Sequence, residues 1–463
     1  MSVYFWRMES DCDMDTYKVR LLGKHPCISV TVPGSKSITN RALLMAAMAE
    51  GETVLTGVLF SDDSRVFLQA LRELGFSVDV DEQAACVRVR GLGGRIPRES
   101  AEIYVGSAGT AARFLTAFVA MSDGSYRLNA SSQMKKRPMK ELLDALRELG
   151  AVIRCLEEED TFPMEISGIG CGGSAQGMEA AEISLNIDRS SQFLSALLMT
   201  APLRFGQLYI KLVGSRSARS YVEMTEQMMK QFGHPGVRRV DANCYQVSGV
   251  SGQPASSGGE RAVYQAREYP VEPDVSAACY FYGMAAITGG RAHVHHMRRD
   301  SLQGDMKFLA LLERMGCTLE WQDGQLYLQG PEPGSLRGVD VDMSDFSDQA
   351  LTLAAIAPYA AGPVHVRNVG HIRGQECDRI HAIEVNLARM KVRFDVAEDG
   401  FTVYPSQPCP ASLETFDDHR TAMAFALTGL CAEGIVIENP SCCRKTFETY
   451  FEVLDQVLAQ NGV

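Results

Sequence analysis

The sequence contains no uninterrupted apolar run of about 18 residues, the length that a membrane-spanning helix needs. Its first residues, MSVYFWRMESDCDMD, are acidic and carry no extended apolar segment, so they lack the pattern of a secretory signal peptide. We expect residues 1–16 to form an N-terminal extension. No pair of its 13 cysteines has the Cys-x-x-Cys spacing of a zinc or redox motif. Several, such as Cys279 and Cys431, lie in apolar helical patterns as small core residues, which is typical of the reducing cytoplasm.

An excess of basic residues is also absent. The chain has 45 lysines and arginines against 57 aspartates and glutamates, a formal net charge of −12. This balance argues against nucleic acid or an anionic membrane as the main partner. The phosphate-loop pattern GxxxxGK[ST] of nucleotide-binding enzymes is missing as well. Basic residues that bind an anion must therefore be concentrated locally, and the expected ligands are small anionic molecules.

A length of 463 residues exceeds what one hydrophobic core usually serves, which predicts two domains. Six long apolar stretches recur along the chain, and each one runs to a glycine. Each begins with Asn, Ser, Thr or Asp near its first turn, and glycine commonly terminates helices. Because Ala, Leu and Met occupy almost every face, we predict six buried helices. They are expected to stop at Gly51, Gly124, Gly206, Gly290, Gly362 and Gly434.

A second series of helices, with one apolar face, alternates with the first. Most of them also stop at glycine, whereas VNLARMK reaches Lys391 without one. Alternating segments such as FSVDV and AVIRC follow these helices and indicate strands. The repeating unit is therefore one buried helix, one half-buried helix and several strands over about 77 residues, which predicts an α/β fold with three units per domain. The glycines of this series are Gly75, Gly150, Gly233 and Gly316.

The boundary between the domains is predicted within EYPVEP, residues 268–273, where two prolines interrupt the repeat. Domain 1 is then residues 32–268. The segment 17–31 precedes the first unit and is expected to pair with the second half of the chain. Domain 2 is then residues 17–31 together with residues 269–463.

Polar and basic side chains stand where the predicted buried helices begin. The first helix follows a Pro-Gly-Ser turn and opens with Lys36 and Ser37, and Arg41 lies one turn further on the same face. Helix N-termini carry unpaired N–H groups and a partial positive charge. This arrangement predicts a pocket for a phosphate or a carboxylate.

Comparable residues occur where later helices are expected to begin. Gly109, within GSAGTAAR, lets backbone amides approach a ligand closely, and Arg137 in QMKKRPM precedes a proline suited to a first helical position. Taken singly, each feature fits a helix cap, a solvated basic run or a structural ion-pair network equally well. Together, the basic ones come from both halves of the chain, so closure of two domains would gather them around anionic substrates. The further candidates are Ser190, Ser191, Gln192, Asp348, Glu376, Asp378, Arg379, Asp417, Asp418, His419, Arg420 and Lys445.

In order along the chain, these motifs resemble those of the 5-enolpyruvylshikimate-3-phosphate synthase family of enolpyruvyl transferases. The resemblance runs from Lys18 to the C-terminus through PGSKSITNRAL, GSAGTAAR, KKRPM, SSQFLSALLMTAPL, SLQGD, QECDR, DDHRTAM and KTF. It implies a two-domain inside-out α/β barrel, in which each domain has three βαβαββ-like repeats about a pseudo-threefold axis. It also implies 3-phosphoshikimate 1-carboxyvinyltransferase activity, the transfer of the enolpyruvyl group of phosphoenolpyruvate to the 5-hydroxyl of shikimate 3-phosphate. This step leads to chorismate and aromatic amino acids and needs no metal or organic cofactor.

The resemblance further implies roles for individual residues. Asp348 matches the proton acceptor for the attacking hydroxyl, Glu376 matches a second carboxylate that acts at the methylene carbon, and Lys36 supplies a compact charge or a proton. Contacts to shikimate 3-phosphate are implied for Lys36, Ser37, Arg41, Ser190, Ser191, Gln192, Asp348 and Gln375. Contacts to phosphoenolpyruvate are implied for Lys36, Gly109, Arg137, Gln192, Arg379, Arg420 and Lys445. The only expected partners are the two substrates, and the chain is expected to be a monomer.

The sequence departs from the family pattern at several positions. The segment ARSY, residues 218–221, stands where Ser-Lys-Pro-Tyr is common, so Ser217 or Ser220 is expected to supply the serine contact. His371 and Gln375 occupy positions where asparagine and lysine are common. Near the phosphoenolpyruvate loop, Ser107 replaces a common asparagine and Phe114 a common proline.

Two alternatives remain open at this point. The sister enzyme that uses UDP-N-acetylglucosamine shares the fold and the donor, although Lys36, Arg41 and the Ser-Ser-Gln triplet match a phosphorylated shikimate ring better. A non-catalytic repeat scaffold that binds anions is the other alternative. It would not need Asp348 and Glu376 at helix starts.

Overall fold

The computed structural model describes residues 16–172, 180–214, 219–249 and 263–463. Its buried side chains form two separate hydrophobic cores. One core takes its residues from the range 38–271, and the other combines residues 17–32 with residues 275–458. We call the elements around these cores the first lobe and the second lobe. Most of the extension expected at residues 1–16 lies outside the described residues, and Thr16 already begins a strand.

The secondary structure elements of the two lobes follow in chain order. The described chain opens with β1 Thr16–Lys18 and β2 Cys27–Val30. The first lobe has helices α1 Lys36–Met48, α2 Asp62–Glu73, α3 Gly109–Ala120, α4 Ser132–Lys135, α5 Lys140–Glu148, α6 Gln192–Thr200 and α7 Arg219–Gln231. Its strands are β3 Ala49–Thr56, β4 Ser77–Asp81, β5 Cys86–Leu92, β6 Ser100–Tyr104, β7 Ser125–Asn129, β8 Val152–Cys155, β9 Met164–Ser167, β10 Ala181–Asn186, β11 Gln207–Val213, β12 Val237–Arg239, β13 Cys244–Ser248, β14 Tyr264–Gln265 and β15 Glu268–Pro270.

The second lobe contains the remaining elements. Its helices are α8 Val275–Thr288, α9 Met306–Arg314, α10 Ala350–Ile356, α11 Arg379–Arg389, α12 His419–Gly429 and α13 Tyr450–Gln460. Its strands are β16 Arg291–Val294, β17 Thr318–Gln322, β18 Gln325–Gln329, β19 Val339–Asp342, β20 Val364–Arg367, β21 Phe394–Ala397, β22 Gly400–Val403, β23 Ala411–Leu413 and β24 Ile435–Glu438. Short 3-10 turns at Ser347–Gln349, Gly370–Gly374 and Pro440–Lys445 precede α10, α11 and α13.

The sheets of the described chain confirm the repeat. In the order β6-β7-β9-β8, the first pair is parallel and the next two pairs are antiparallel. The sheets β10-β11-β13-β12, β2-β16-β18-β17 and β19-β20-β22-β21 have the same pattern. In the sheet around β3, both β14 and β15 supply the parallel partner. A shorter sheet, β23-β24-β1, keeps the parallel pair and one antiparallel pair.

The N-terminal segment pairs with strands from the second half of the chain, as expected for residues 17–31. Cys27 of β2 lies opposite Arg291 of β16, and Tyr17 of β1 lies opposite Ile437 of β24. At the other crossing, β15 pairs with β3 in the first lobe, and Val271 still packs in the first core. The chain therefore passes into the second lobe just after Val271.

The six apolar stretches are buried helices, namely α1, α3, α6, α8, α10 and α12. Every residue of α8 is buried, and in α1 burial begins at Ile38. The prediction that each stops at its glycine was wrong in most cases. Of the six, only α8 ends on a left-handed glycine cap, and this cap is Gly289, the residue before the expected Gly290. In contrast, α1 ends at Met48, and Gly51 lies within β3, because pairing of that strand with β5 decides where the helix stops.

The glycines of the half-buried series do end their helices. Gly75, Gly150, Gly233 and Gly316 have φ values of +95°, +104°, +87° and +114°, a conformation that strongly favours glycine. Lys391 takes the same place after α11 with φ +56°. The predicted strands after these helices are confirmed as β4, β8, β17 and β21, and α13 is a sixth helix of the series.

Two chain segments connect the lobes, and they lie side by side. Gly34 and Pro273 form an antiparallel bridge between them. The amide of Ser35 donates to the carbonyl of Glu272 at 2.8 Å, and the amide of Asp274 donates to the carbonyl of Pro33 at 2.8 Å. The connection is thus a short paired ribbon.

All twelve cysteines in the described ranges are free. Cys279 is buried in α8 as predicted, whereas Cys431 lies in the turn after α12 and is exposed, contrary to the prediction. Across the described ranges, none of the helices has both the length and the apolar character that crossing a bilayer requires.

Candidate active site

A cleft lies where the two lobes meet, and several helices begin at it. Lys36, Gly109 and Gln192 are the first residues of α1, α3 and α6, and Arg379 is the first residue of α11. The partial positive charge at helix starts makes the cleft favourable for anions. The residues predicted from the sequence that line it are Lys36, Ser37, Arg41, Gly109, Arg137, Ser190, Ser191, Gln192, Asp348, Gln375, Glu376, Arg379 and Arg420.

Arg41 is held rigidly on the first-lobe wall although it has no carboxylate partner among the described residues. It is 1% exposed, and its guanidinium donates to Thr225 Oγ1 at 2.8 Å, Ser37 O at 3.0 Å and Ser195 Oγ at 3.1 Å. Burial lowers its pKa to about 10. A buried cation that bonds only neutral groups keeps its charge available for an anionic ligand.

Lys36 lies at the same wall, at the start of α1. Its ammonium group is 3.3 Å from Oδ2 of Asp63, a buried aspartate in the first turn of α2. The lysine side chain is 15% exposed, so its charge is partly shielded from water. This pair fixes the ammonium group at the cleft surface.

Asp348 is the best-connected carboxylate of the second-lobe wall. It accepts hydrogen bonds from Arg379 Nη1 at 3.0 Å, from Arg420 Nη2 at 2.9 Å and from the hydroxyl of Tyr221 at 2.8 Å. Burial alone would raise the pKa of Asp348, but Arg420 and Arg379 outweigh it and hold the pKa below the ordinary value. The side chain is therefore ionised at neutral pH.

Arg379 is tied to a second carboxylate behind the cleft surface. Its Nε donates to Oδ2 of Asp418 at 2.7 Å, and its Nη1 also contacts Oε1 of Gln375. Asp418 is fully buried and caps α12 by accepting from the amide of Arg420 at 2.9 Å. Asp418 thus positions the two arginines that hold Asp348.

Glu376 joins cations from both lobes. Its Oε2 lies 3.2 Å from Arg137 Nη2 of the first lobe, and its Oε1 lies 3.5 Å from Lys445 Nζ of the second lobe. Gln133 of the first lobe also donates to its carbonyl at 3.3 Å. Arg137 and Lys445 lower the pKa of Glu376 well below the ordinary value against the opposing effect of burial. Lys445 itself does not line the cleft, but it contacts Glu376, which does.

Some candidates from the sequence do not line the cleft. Asp378 caps α11 and pairs with Arg373 at 3.0 Å. It therefore serves as a helix cap and an ion-pair partner, the structural alternative to a binding role. Asp417 and His419 are not among the lining residues, and His419 is buried beside Asp418.

The departures from the family pattern can be placed only in part. His371 bonds Ser347 Oγ at 2.7 Å. Ser107 bonds Ser131 at 2.7 Å through their hydroxyls. Ser217 and Ala218 lie outside the described residues, and Ser220 lines a smaller cavity beside the cleft.

Seven lining residues are not among the candidates from the sequence, namely Asp63, Thr110, Arg113, Arg189, Tyr221, Ser347 and Gly374. Tyr221 bonds Asp348, Asp63 pairs with Lys36, and Arg113 bonds Gln192. Arg113 ends the quoted motif GSAGTAAR and lies one helical turn after Gly109, so its position was a usable signal. In the described part of the chain, no group of three or more metal-ligating side chains is placed to hold a metal ion.

Comparison with known proteins agrees with this geometry. The protein family described as EPSP synthase (3-phosphoshikimate 1-carboxyvinyltransferase) matches residues 28–454. The chain belongs to the EPSP synthase family. The 3-phosphoshikimate 1-carboxyvinyltransferase of Trichormus variabilis is 42% identical over 447 residues, which cover 96% of this chain and 100% of that protein. The 3-phosphoshikimate 1-carboxyvinyltransferase 2 of Halalkalibacterium halodurans is 38% identical over 96% of this chain and 95% of its own length.

Solved structures support the fold of the EPSP synthase family for this chain. EPSP synthase from Acinetobacter baumannii superposes with a TM-score of 0.75 at 24% identity and covers 96% of this chain and 98% of its own. An enolpyruvyl transferase from Streptomyces tendae gives a TM-score of 0.70 at 17% identity, with 94% and 96% covered. The two-domain α/β architecture expected from the sequence is thereby confirmed.

Proposed function

We propose that the cleft between the lobes is the active site in which this chain performs the reaction of its family. The chain is an enzyme of the shikimate pathway, a 3-phosphoshikimate 1-carboxyvinyltransferase. It transfers the enolpyruvyl group of phosphoenolpyruvate to the 5-hydroxyl of shikimate 3-phosphate and releases inorganic phosphate. The product leads to chorismate and the aromatic amino acids.

One observation carries the assignment of the site. Asp348 and Glu376 line the same cleft, and each carboxylate is surrounded by cations. Two anionic substrates repel each other in water, whereas fixed guanidinium and ammonium groups offset that repulsion. A site that only bound anions would gain nothing from carboxylates at this place.

We assign shikimate 3-phosphate to the first-lobe wall, with Asp348 and Gln375 reaching it from the second lobe, and phosphoenolpyruvate to the space between the lobes. Lys36, Ser37, Arg41, Ser190, Ser191, Gln192, Asp348 and Gln375 are the proposed contacts of shikimate 3-phosphate. Lys36, Gly109, Arg137, Gln192, Arg379, Arg420 and Lys445 are the proposed contacts of phosphoenolpyruvate. Planar guanidinium groups suit a carboxylate or a phosphate because they donate two parallel hydrogen bonds.

Asp348 is the proposed base for the 5-hydroxyl. Its low pKa keeps it ionised, and the hydroxyl becomes acidic only as its oxygen bonds to C2 of phosphoenolpyruvate. C3 must gain a proton in the same addition, which produces a tetrahedral ketal. The ketal then loses phosphate and one methyl proton, so acid and base groups are needed on both sides of the donor.

Glu376 is the proposed group that exchanges the proton at C3. Without substrate it is held ionised by Arg137 and Lys445, which are also proposed contacts of phosphoenolpyruvate. When phosphoenolpyruvate takes over those two cations, the pKa of Glu376 rises because its stabilising charges are shared with another anion. Binding of the donor thus prepares this carboxyl group to carry a proton.

We further propose the division of the chain into domains of residues 32–268 and 17–31 plus 269–463. The two separate cores support it, with the crossing itself just after Val271. Closure of the domains would exclude water from the ketal, and fixing both reactants could supply roughly 7–11 kcal/mol of the barrier. We also propose a monomer, because one chain supplies the whole cleft, and a cytoplasmic location, because the twelve described cysteines are free, as is usual in a reducing compartment.

Phosphate release by the purified chain tests the function. We expect release from phosphoenolpyruvate only when shikimate 3-phosphate is present, and none with UDP-N-acetylglucosamine as the acceptor. Lys36→Ala and Asp348→Ala should each lower turnover by orders of magnitude without unfolding the protein. Lys211→Ala, which removes an exposed lysine of β11, is the matched control and should not change turnover. Wild-type turnover in the Asp348→Ala variant would rule out the proposed base.

A further inference from the structure

Arg113 is a buried cation that the proposed mechanism does not use. It is 2% exposed and lies on α3. Its guanidinium donates to Gln192 Oε1 at 2.6 Å, to Pro138 O at 3.0 Å and to Gly109 O at 3.4 Å. The ring centroid of Phe193 lies 5.3 Å from its Cζ. No carboxylate of the described residues forms an ion pair with it.

Burying the charge of Arg113 lowers the free energy of unfolding. Burial, and after it the neighbouring Arg137, lowers the pKa of Arg113 well below the ordinary value. A neutral side chain of similar size would fill the same space without that cost. Of the three hydrogen bonds of Arg113, the one to Gln192 is the shortest and the only one to a side chain. We therefore look for the role of the charge in its effect on Gln192.

This contact determines which way the Gln192 amide points. A guanidinium group has hydrogen-bond donors and no acceptor, so the atom of Gln192 that faces Arg113 must be its oxygen. The amide nitrogen Nε2 then lies on the other side of the group. Nε2 has no hydrogen-bond partner among the described residues and is not fully buried. Gln192 also lines the cleft, so this nitrogen is available to a ligand.

We propose that Arg113 is a positioning residue that holds Gln192 with its amide N–H₂ group toward the substrates. Gln192, at the start of α6, then offers a neutral donor to a substrate oxygen. If the amide were reversed, its oxygen would face an anion and repel it. This inference rests on the proposed function, because it assumes that Gln192 contacts the substrates.

A double-mutant cycle measured by phosphate release tests the proposal. Arg113→Met removes the donors and keeps an unbranched apolar side chain, and we expect it to raise the KM for phosphoenolpyruvate about tenfold with a smaller change in kcat. Gln192→Ala should have an effect of similar size. Since Arg113 acts through Gln192, the double variant should be no worse than the poorer single variant. Arg113→Lys retains one donor and should recover part of the lost KM.

A charged replacement separates positioning from simple structural support. Gln192→Glu places a carboxylate next to Arg113, so the Tm should rise. The same variant presents negative charge to an anionic substrate, so the KM for phosphoenolpyruvate should rise more than in Gln192→Ala. If Arg113 only supported the fold, the two single effects on KM would multiply in the double variant.

The control is Arg204→Met, which removes another arginine of the first lobe that bonds a main-chain carbonyl, of Met121, but does not line the cleft. It should leave both KM values unchanged. An unchanged KM in a folded Arg113→Met protein, or multiplying effects in the cycle, overturns the inference. If Arg113→Met does not fold, Gln192→Glu decides alone, and a lowered Tm or unaltered KM contradicts the proposal. Absence of turnover in the wild-type chain would instead reject the proposed function.

Discussion

The hydroxyl of Tyr221 donates a 2.8 Å hydrogen bond to Oδ2 of Asp348 across the boundary between the two lobes. Tyr221 belongs to α7 of the first lobe, and Asp348 lies just before α10 of the second lobe. The contact between the lobes therefore includes a hydrogen bond to the proposed base. A tyrosine hydroxyl is a suitable donor here because burial, and then the charge of Asp348, raises the pKa of Tyr221 well above its ordinary value.

We expect Tyr221→Phe to lower kcat/KM about tenfold, because a hydrogen bond to a charged acceptor is lost. The bond also helps to keep the pKa of Asp348 low. Its loss should raise that pKa, so the acidic limb of the pH–rate profile should move to higher pH. Tyr264→Phe, which removes a buried hydroxyl bonded to the carbonyl of Met199, is the control and should leave the limb in place. An identical limb in both variants would show that Tyr221 does not act on Asp348.

An exposed ion pair also crosses between the lobes. Arg65 of α2 lies 3.3 Å from Oε2 of Glu448, just after the turn that carries Lys445, and also bonds Glu82. We expect Glu448→Gln to raise the KM for phosphoenolpyruvate by a factor of about 1.4 to 5, because exposed pairs contribute about 0.2–1 kcal/mol.

Ionic strength provides the control measurement for this pair. Added salt screens exposed charges, so the difference between wild type and Glu448→Gln should shrink as salt increases. Glu182→Gln, which removes an exposed pair within the first lobe, should behave as wild type throughout. A difference that is constant with salt would mean that the pair does not act through its charge.

Gly109 is packed against the arginines of the cleft. A Cβ atom at this position would lie 2.8 Å from Nη1 and Nη2 of Arg137 and from Nη1 of Arg113. Gly109→Ala should therefore displace Arg137 and raise the KM for phosphoenolpyruvate roughly tenfold, as loss of a charged contact would. Gly374→Ala is the matched control because Gly374 also lines the cleft, and its Cβ would meet no atom within 4 Å. Equal KM values for the two variants would contradict the expectation.

Asp305 makes stability depend on pH. It is buried at the start of α9, where Ser276 donates to it, and burial followed by the charge of Asp348 raises its pKa to about 7. The native state therefore binds more protons than the unfolded state between the ordinary aspartate value and pH 7, so stability falls as pH rises through this range. Asp305→Asn removes the ionisable group, so this fall of the free energy of unfolding with rising pH should disappear.

We expect Asp305→Asn to raise the Tm by about 2–4 °C at pH 8 and by less at pH 5. Asp300→Asn is the control. Arg298 lowers the pKa of Asp300, so this carboxylate adds stability above its unfolded pKa, and its removal should not raise the Tm at pH 8. A larger gain for Asp305→Asn at pH 5 than at pH 8 would reverse the assigned sign.

The repeat was predictable where local chemistry decides the conformation. Gly75 and Gly316 adopt a left-handed φ that glycine accepts at little cost, so their helices stop where the sequence indicates. The end of α1 was not predictable in this way. Residue Ala49 leaves the helix to pair within a sheet, and only the folded lobe supplies the partner strand.

The candidate site was likewise predictable where local sequence decides and not where the contact of the two lobes decides. Lys36, Gly109 and Gln192 could be found because they stand at helix starts, which the sequence marks. The contact of Arg137 with Glu376 could not, since it joins residues of different lobes and depends on how the lobes meet. Asp378 was a candidate by its neighbours alone, and it serves as a helix cap.

The pairing of β2 with β16 has a consequence for synthesis of the protein. Residues 17–31 leave the ribosome before the first lobe, but the strand that pairs with β2, Arg291–Val294, emerges only after the whole first lobe has been translated. The first lobe can fold while it leaves the exit tunnel, whereas the segment 17–31 stays unpaired until its partner strands in the second lobe have been made. The strand that pairs with β1, Ile435–Glu438, emerges after the other described strands of the second lobe, so the sheets of this lobe are complete only once that strand has been translated.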